Sequence, residues 1–103
     1  VGLLCTATNS VEDVKIALQT NSLVIAYMGK GAFTNGGHYI VLYAYDSVNN
    51  VFYVMDPNGK TRLPASVYRA EDRGTGFVYT NAEQIAQQTK GRKMGRYDFY
   101  IFQ

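Results

Sequence analysis

The chain has 103 residues, a length that suits one domain with a modest hydrophobic core. Hydrophobic residues make up 47% and charged residues 17%, a composition that excludes an intrinsically disordered chain. The net charge of +2 is too small to indicate a nucleic-acid partner, and no apolar run is long enough to span a bilayer.

The N-terminal quarter predicts a strand, a helix and a second strand. A short apolar stretch over residues 1–6 predicts the first strand. Ser10 is a suitable N-cap, and the apolar residues after it recur at helical spacing, so we expect a helix over residues 11–20. Asn21 is a suitable end for that helix. The continuous apolar run Leu23–Met28 then predicts a buried strand.

A loop with four glycines over residues 29–37 leads into a predicted hairpin. Residues 38–45 are apolar at both even and odd positions, which predicts a central strand covered on both sides. A loop over residues 46–50 and a strand over Val51–Met55 follow. Pro57 ends this strand because proline cannot donate to the hydrogen-bond ladder.

The C-terminal part predicts a helix and a closing strand. Thr80 and Glu83 form a capping box for a helix over residues 81–89, and residues 97–102 predict the strand. Between them lies a glycine-interrupted basic cluster that predicts a solvated loop. The cluster comprises Lys90, Arg92, Lys93 and Arg96. The order of elements predicts an α+β fold, a mainly antiparallel sheet with two short helices.

His38 is the only histidine of the chain, and it stands at the entry of the central strand directly after Gly36 and Gly37. Glycines at this place would let a substrate backbone approach closely and leave the imidazole accessible, so we assign Gly36 and Gly37 to substrate binding. The alternative is a partly buried histidine whose ring bonds a backbone carbonyl.

Asp56 closes the partner strand, and the hairpin register decides whether it can meet His38. If residues 46–50 are the loop, Ile40 faces Asp56. The carboxylate then lies diagonal to His38 on the same face and can reach Nδ1. A two-residue turn at Asn49 and Asn50 would place the pair on opposite faces. A further alternative is that Asp56 only forms a turn with the Pro-Asn-Gly that follows it.

A histidine and a carboxylate on adjacent strands are the base and the orienting group of a nucleophilic triad. A metal site is disfavoured, because one histidine and one aspartate without a second histidine or cysteine nearby fall short of a zinc ligand set. The residues alone leave open whether His38 and Asp56 form such a pair, and we expect no metal and no cofactor.

Three segments together resemble a known family: VIAYMG at 24–29, NGGHYIVL at 35–42 and VMDPNG at 54–59. They are similar to the peptidase domain that trims double-glycine leaders from bacteriocins, and more closely to the wider group of bacterial "thirty-nine-like" cysteine peptidases. The resemblance implies a papain-like fold, His38 as base and Asp56 as orienter. It also implies a peptide or protein substrate and a bacterial location at or outside the cell envelope.

The nucleophile of that family has no clear counterpart here. In the family that this chain resembles, the nucleophilic cysteine begins the first long helix and is preceded by a glutamine. Cys5, the only cysteine, has no glutamine before it, and the predicted helix starts only after Ser10. We expect Cys5 to be a small, buried and unreactive hydrophobic residue, with its use as the nucleophile a weaker alternative.

The chain begins at Val1 and not with Met. We therefore interpret residues 1–103 as a single domain or fragment, the C-terminal and mostly β portion of a cysteine peptidase-like domain. Its first predicted function is to supply part of a peptidase site. The alternatives are a non-catalytic, peptidase-like module that binds peptides and a structural module whose histidine and aspartate never meet. A half-domain would expose the face that its helices cover, so we also expect self-association.

Overall fold

The computed structural model describes residues 4–30, 37–56, 68–69 and 77–103. The elements are β1 (Cys5–Thr8), α1 (Val11–Gln19), β2 (Leu23–Met28), β3 (His38–Asp46), β4 (Val51–Met55), β5 (Tyr68–Arg69), β6 (Phe77–Asn81), α2 (Ala82–Gln88) and β7 (Phe99–Phe102). The seven strands form one sheet in the order β1-β7-β2-β3-β4-β6-β5, and every pair is antiparallel. The predicted α+β fold is confirmed. Among these residues no helix has the length and apolar character to cross a membrane.

Helix α1 begins at the predicted residue and ends one residue before the predicted end. The hydroxyl of Ser10 accepts a hydrogen bond from the backbone N–H of Asp13 at 3.3 Å, which satisfies one of the free donors of the first turn. Asn21 follows the helix with a φ of 66°, a left-handed conformation that asparagine tolerates. The apolar side of the helix packs on β2 and β3 through Val14, Ala17 and Leu18.

The two helices pack on one side of the sheet, which we call the covered face. The strand residues of this face and the apolar residues of both helices form the core. Its largest fully buried members are Phe52, Phe99, Met28, Ile40, Leu42, Ile85, Val14, Val24 and Val54. The opposite side, the open face, has no described helix against it.

The prediction that the central strand is covered on both sides is wrong in the described part of the chain. Ile40 and Leu42 are completely buried, but Tyr39 is 45% exposed on the open face. The physical reason is that tyrosine rings can pack on one another while their hydroxyls stay in water. The rings of Tyr27 and Tyr39 stack with centroids 4.5 Å apart. An apolar run in the sequence therefore does not require burial on both faces.

The N-cap of helix α2 is Asn81, one residue later than the predicted cap, Thr80. The side chain of Asn81 accepts the backbone N–H of Glu83 at 2.7 Å, while Thr80 is buried at the end of β6. Strand β6 itself was not predicted, although its aromatic and β-branched residues are typical of a strand. It pairs with β4 and extends the sheet beyond the hairpin.

The basic loop after α2 is exposed at Arg92, Lys93 and Arg96, as predicted, but it is firmly held. The buried carboxylate of Asp98 accepts the backbone N–H of Arg92 at 3.0 Å and lies 3.4 Å from its Nε. These bonds keep Asp98 in the loop, so β7 begins at Phe99 and not at residue 97.

Candidate active site

The hairpin turn between β3 and β4 is one residue shorter than predicted. Asp46 pairs with Val51, so the loop consists of residues 47–50. The carboxylate of Asp46 accepts the side-chain amide of Asn49 at 2.8 Å, and this bond lowers the pKa of Asp46 below its ordinary value. Asn50 closes the turn with a φ of 54°, which asparagine tolerates.

A β-bulge at Tyr43 changes the register between this turn and the far end of the hairpin. On the turn side, Ala44 pairs with Tyr53. On the other side, Leu42 pairs with Val54, so Tyr43 is an extra residue in β3. Bulges of this kind locally break the alternation of side chains between the two faces.

The bulge decides which face His38 occupies relative to Asp56. If the register of the turn continued unchanged, Val41 would lie opposite Asp56, and His38 would project from the other face. After the bulge, Val41 pairs with Met55, and the next position places Ile40 opposite Asp56. The predicted facing of Ile40 and Asp56 is therefore reached, but through a four-residue turn plus a bulge. Sequence reasoning found no signal for the bulge.

The side chains of His38 and Asp56 meet on the covered face. Nε2 of His38 lies 2.7 Å from Oδ1 of Asp56. The imidazole is 16% exposed and the carboxylate 1% exposed. The prediction of one shared face and hydrogen-bond contact is confirmed, but the predicted contact at Nδ1 is wrong. Diagonal neighbours on paired strands lie about 7–8 Å apart, so the carboxylate meets the outer ring nitrogen.

This contact determines where the imidazole can accept a proton. An ionised carboxylate only accepts hydrogen bonds, so Nε2 of His38 carries the proton of the neutral ring. In that tautomer the lone pair of the ring is on Nδ1, the nitrogen that does not contact Asp56.

Comparison with known protein families identifies the family of this chain. A sequence profile of the Peptidase_C39 like family matches residues 3–90, a stretch that includes both His38 and Asp56. The chain belongs to the Peptidase_C39 like family. It is therefore a peptidase-related domain, and the resemblance noted in its sequence is confirmed at this level. No curated protein matches the chain.

Of the two glycines assigned to substrate binding in this Peptidase_C39-like chain, Gly36 lies outside the described residues and Gly37 is exposed. A Cβ at Gly37 would lie 2.5 Å from Nζ of Lys90 and 3.7 Å from a ring carbon of Tyr27. A glycine at this position therefore leaves room for the end of the Lys90 side chain. No pattern in the sequence indicates this contact, and the prediction places Lys90 in a solvated loop.

Cys5 corrects a second expectation. It was predicted to be buried, but it is exposed on β1, an edge strand of the sheet. A residue on an edge strand has a neighbouring strand on one side only. Apolar residues next to it in the sequence therefore do not ensure that it is buried. Its exposure removes the reason for expecting it to be inert.

Cys5 is also far from the imidazole. Cys5 pairs with Phe102, and Phe102 pairs with Leu23 at the opposite end of β2 from Met28, the partner of His38. Three strand spacings and five residues of strand therefore separate Cys5 from His38, a distance of roughly 20 Å. In this arrangement Cys5 cannot give a proton to His38.

Proposed function

We propose that this chain supplies the base and the orienting group of a cysteine peptidase that hydrolyses peptide bonds. His38 is the base, and Asp56 holds its ring. The observation that supports this most strongly is the 2.7 Å contact between Nε2 of His38 and a carboxylate that is 1% exposed. A buried carboxylate at one ring nitrogen leaves the other as a directed base, which is the role of these two groups in a nucleophilic triad.

The nucleophile in this proposal is a cysteine upstream of the present chain, since Cys5 is the only cysteine here and lies roughly 20 Å away. Nδ1 of His38 takes the thiol proton, and the thiolate attacks the peptide carbonyl. The same proton passes to the leaving amine as the peptide bond breaks. Water then hydrolyses the thioester, with Nδ1 accepting its proton and returning it to the thiol. Residues 1–103 would be the mostly β portion of a papain-like domain.

Peptide hydrolysis by the isolated chain, the full-length protein and three variants tests this function. The isolated chain should be inactive. In the full-length protein, His38→Ala should lower kcat/KM by more than about a thousandfold, and Asp56→Ala by up to about 10⁴-fold, since the ring loses its orientation. Tyr79→Phe is the control, because it removes only an open-face hydroxyl and should leave the activity unchanged. Full activity of His38→Ala in a protein that has the upstream cysteine would contradict the assignment.

A second candidate is a peptidase-like module that binds peptides without cleaving them. The observation in its favour is that the one cysteine of the chain lies so far from the dyad. The gene sequence upstream of this segment separates the two candidates. A cysteine that opens a helix, with a glutamine six residues before it, favours the enzyme, and the absence of any upstream cysteine favours the binding module. The purely structural alternative is not favoured by the contact between His38 and Asp56.

We also propose that the isolated chain self-associates through the open face. Leu23, Ile25, Val41 and Phe102 line a shallow apolar groove of about 410 Å³ on this face, and Leu23 is 50% exposed. Exposed apolar patches of this kind favour association. Sedimentation equilibrium should show a concentration-dependent dimer that Ile25→Glu weakens. A monomer at all concentrations would contradict the proposal.

A further inference from the structure

The backbone of Lys90 is fixed against the end of β2. Its N–H donates to the carbonyl oxygen of Tyr27 at 3.0 Å. The preceding residue, Thr89, forms a β-bridge with Met28 and is buried. Because side chains alternate along such a pairing, Thr89 lies on the covered face and Lys90 on the open face.

The side chain of Lys90 is also held in place. Its ammonium lies 5.3 Å from the centroid of the Tyr27 ring, within the range of a cation–π interaction. That ring in turn stacks on Tyr39 with an interplanar angle of 16°. The end of the side chain lies beside Gly37, where a Cβ would be 2.5 Å from Nζ. The charge is therefore held next to the residue that precedes His38.

The residues that follow Lys90 in the chain are basic. Arg92, Lys93 and Arg96 follow in the exposed loop, and no acidic residue occurs between Gln88 and Tyr97. Asp98 is buried, and its carboxylate accepts the backbone N–H of Arg92.

We propose that Lys90 is a specificity-determining residue that binds an acidic side chain of the peptide substrate. This inference rests on the proposed peptidase function and adds a preference of the site for acidic residues in the substrate. A peptide whose scissile bond lies at Nδ1 of His38 passes Gly37, and a carboxylate one or two residues from that bond meets the ammonium. Lys90 lies on the open face and the imidazole on the covered face, so Lys90 acts in binding and has no part in proton transfer.

Selection from a displayed library of random octapeptides tests this assignment. The full-length protein with His38→Ala is used as the target, because it binds without turnover. Asp and Glu should be enriched about two- to fivefold at one position, the range expected for a partly exposed ion pair. Lys90→Met keeps the aliphatic stem on Tyr27 and should abolish the enrichment. Lys90→Glu should replace it with Lys and Arg at the same position, and Lys93→Met is the matched control that should retain it.

Equal acidic enrichment in the Lys90→Met and unmodified proteins would overturn the assignment, as would the absence of any enriched residue. So would binding to phosphatidylserine vesicles or single-stranded RNA that Lys90→Met and Lys93→Met weaken equally, without an acidic peptide preference. Failure of the proposed function is a separate result, since it appears as retained hydrolysis in His38→Ala on neutral peptides. A thermal melt of Lys90→Met should match the unmodified protein, so that a folding defect is not taken for lost specificity.

Discussion

The two faces of the sheet use neighbouring residues of the same strands for different purposes. Ile40 and His38 project to the covered face, where the first is fully buried and the second meets Asp56. Tyr39, between them, is 45% exposed on the open face and stacks on Tyr27. The covered face therefore carries the core and the His38–Asp56 pair, and the open face carries tyrosine rings and the Lys90 ammonium. Stability and the proposed catalysis depend on the covered side of β3, and the proposed recognition depends on its open side.

Truncating neighbouring residues of β3 should show the largest difference between the faces. Ile40→Ala removes a fully buried side chain from the core and should lower the free energy of unfolding by about 2–5 kcal/mol. Val41→Ala removes a half-buried side chain from the open face and should cost about 1 kcal/mol or less. Urea unfolding followed by far-UV circular dichroism measures both. Equal losses would mean that the open face is covered as thoroughly as the other.

Substitutions at two glycines of the basic loop should also differ in the urea unfolding assay. The loop follows Thr89 on the covered face and Lys90 on the open face. A Cβ at Gly91 would lie 1.8 Å from the carbonyl oxygen of Tyr97, so Gly91→Ala must displace backbone and should cost about 3 kcal/mol. Gly95 has a φ of 72° and open space around it, so Gly95→Ala should cost only about 1 kcal/mol. A larger loss for Gly95→Ala would contradict the packing described for this loop.

The bulge offers a third test with a smaller expected effect. Deleting Tyr43 should remove the extra residue and leave the pairings on both sides of it unchanged, so the contact between His38 and Asp56 should survive. Inserting one glycine between Tyr39 and Ile40 should move His38 to the open face and abolish the contact. Histidine ring NMR spectra of the two variants measure this. Loss of the contact in the Tyr43 deletion would show that the strand pairings do not persist on both sides of the deleted residue.

The sequence predicted those parts of the fold and site that depend on local patterns. Ser10, Asn21 and the apolar spacing between them define α1, and the strand patterns define β2, β3 and β4. The facing of Ile40 and Asp56 came out as predicted, but through a shorter turn and a bulge that hairpin parity alone does not foresee.

The missed features depend on contacts between distant residues. The bulge at Tyr43 adjusts the register only after the strands have paired, and the ring nitrogen that meets Asp56 follows from their diagonal placement. The exposure of Cys5 depends on which strand forms the sheet edge, and the open face depends on where the helices pack. None of these features can be predicted from a short run of neighbouring residues.

We propose that Asp56 holds the proton on Nε2 of His38 and leaves Nδ1 as the base. Because His38 is the only histidine, a protein with ¹⁵N-labelled imidazole gives the signals of one ring. At a pH where the ring is neutral, one-bond coupling to hydrogen should appear at Nε2 and not at Nδ1, and Asp56→Ala should remove this preference. A neutral ring with its proton on Nδ1, or the same tautomer in Asp56→Ala, would contradict the account.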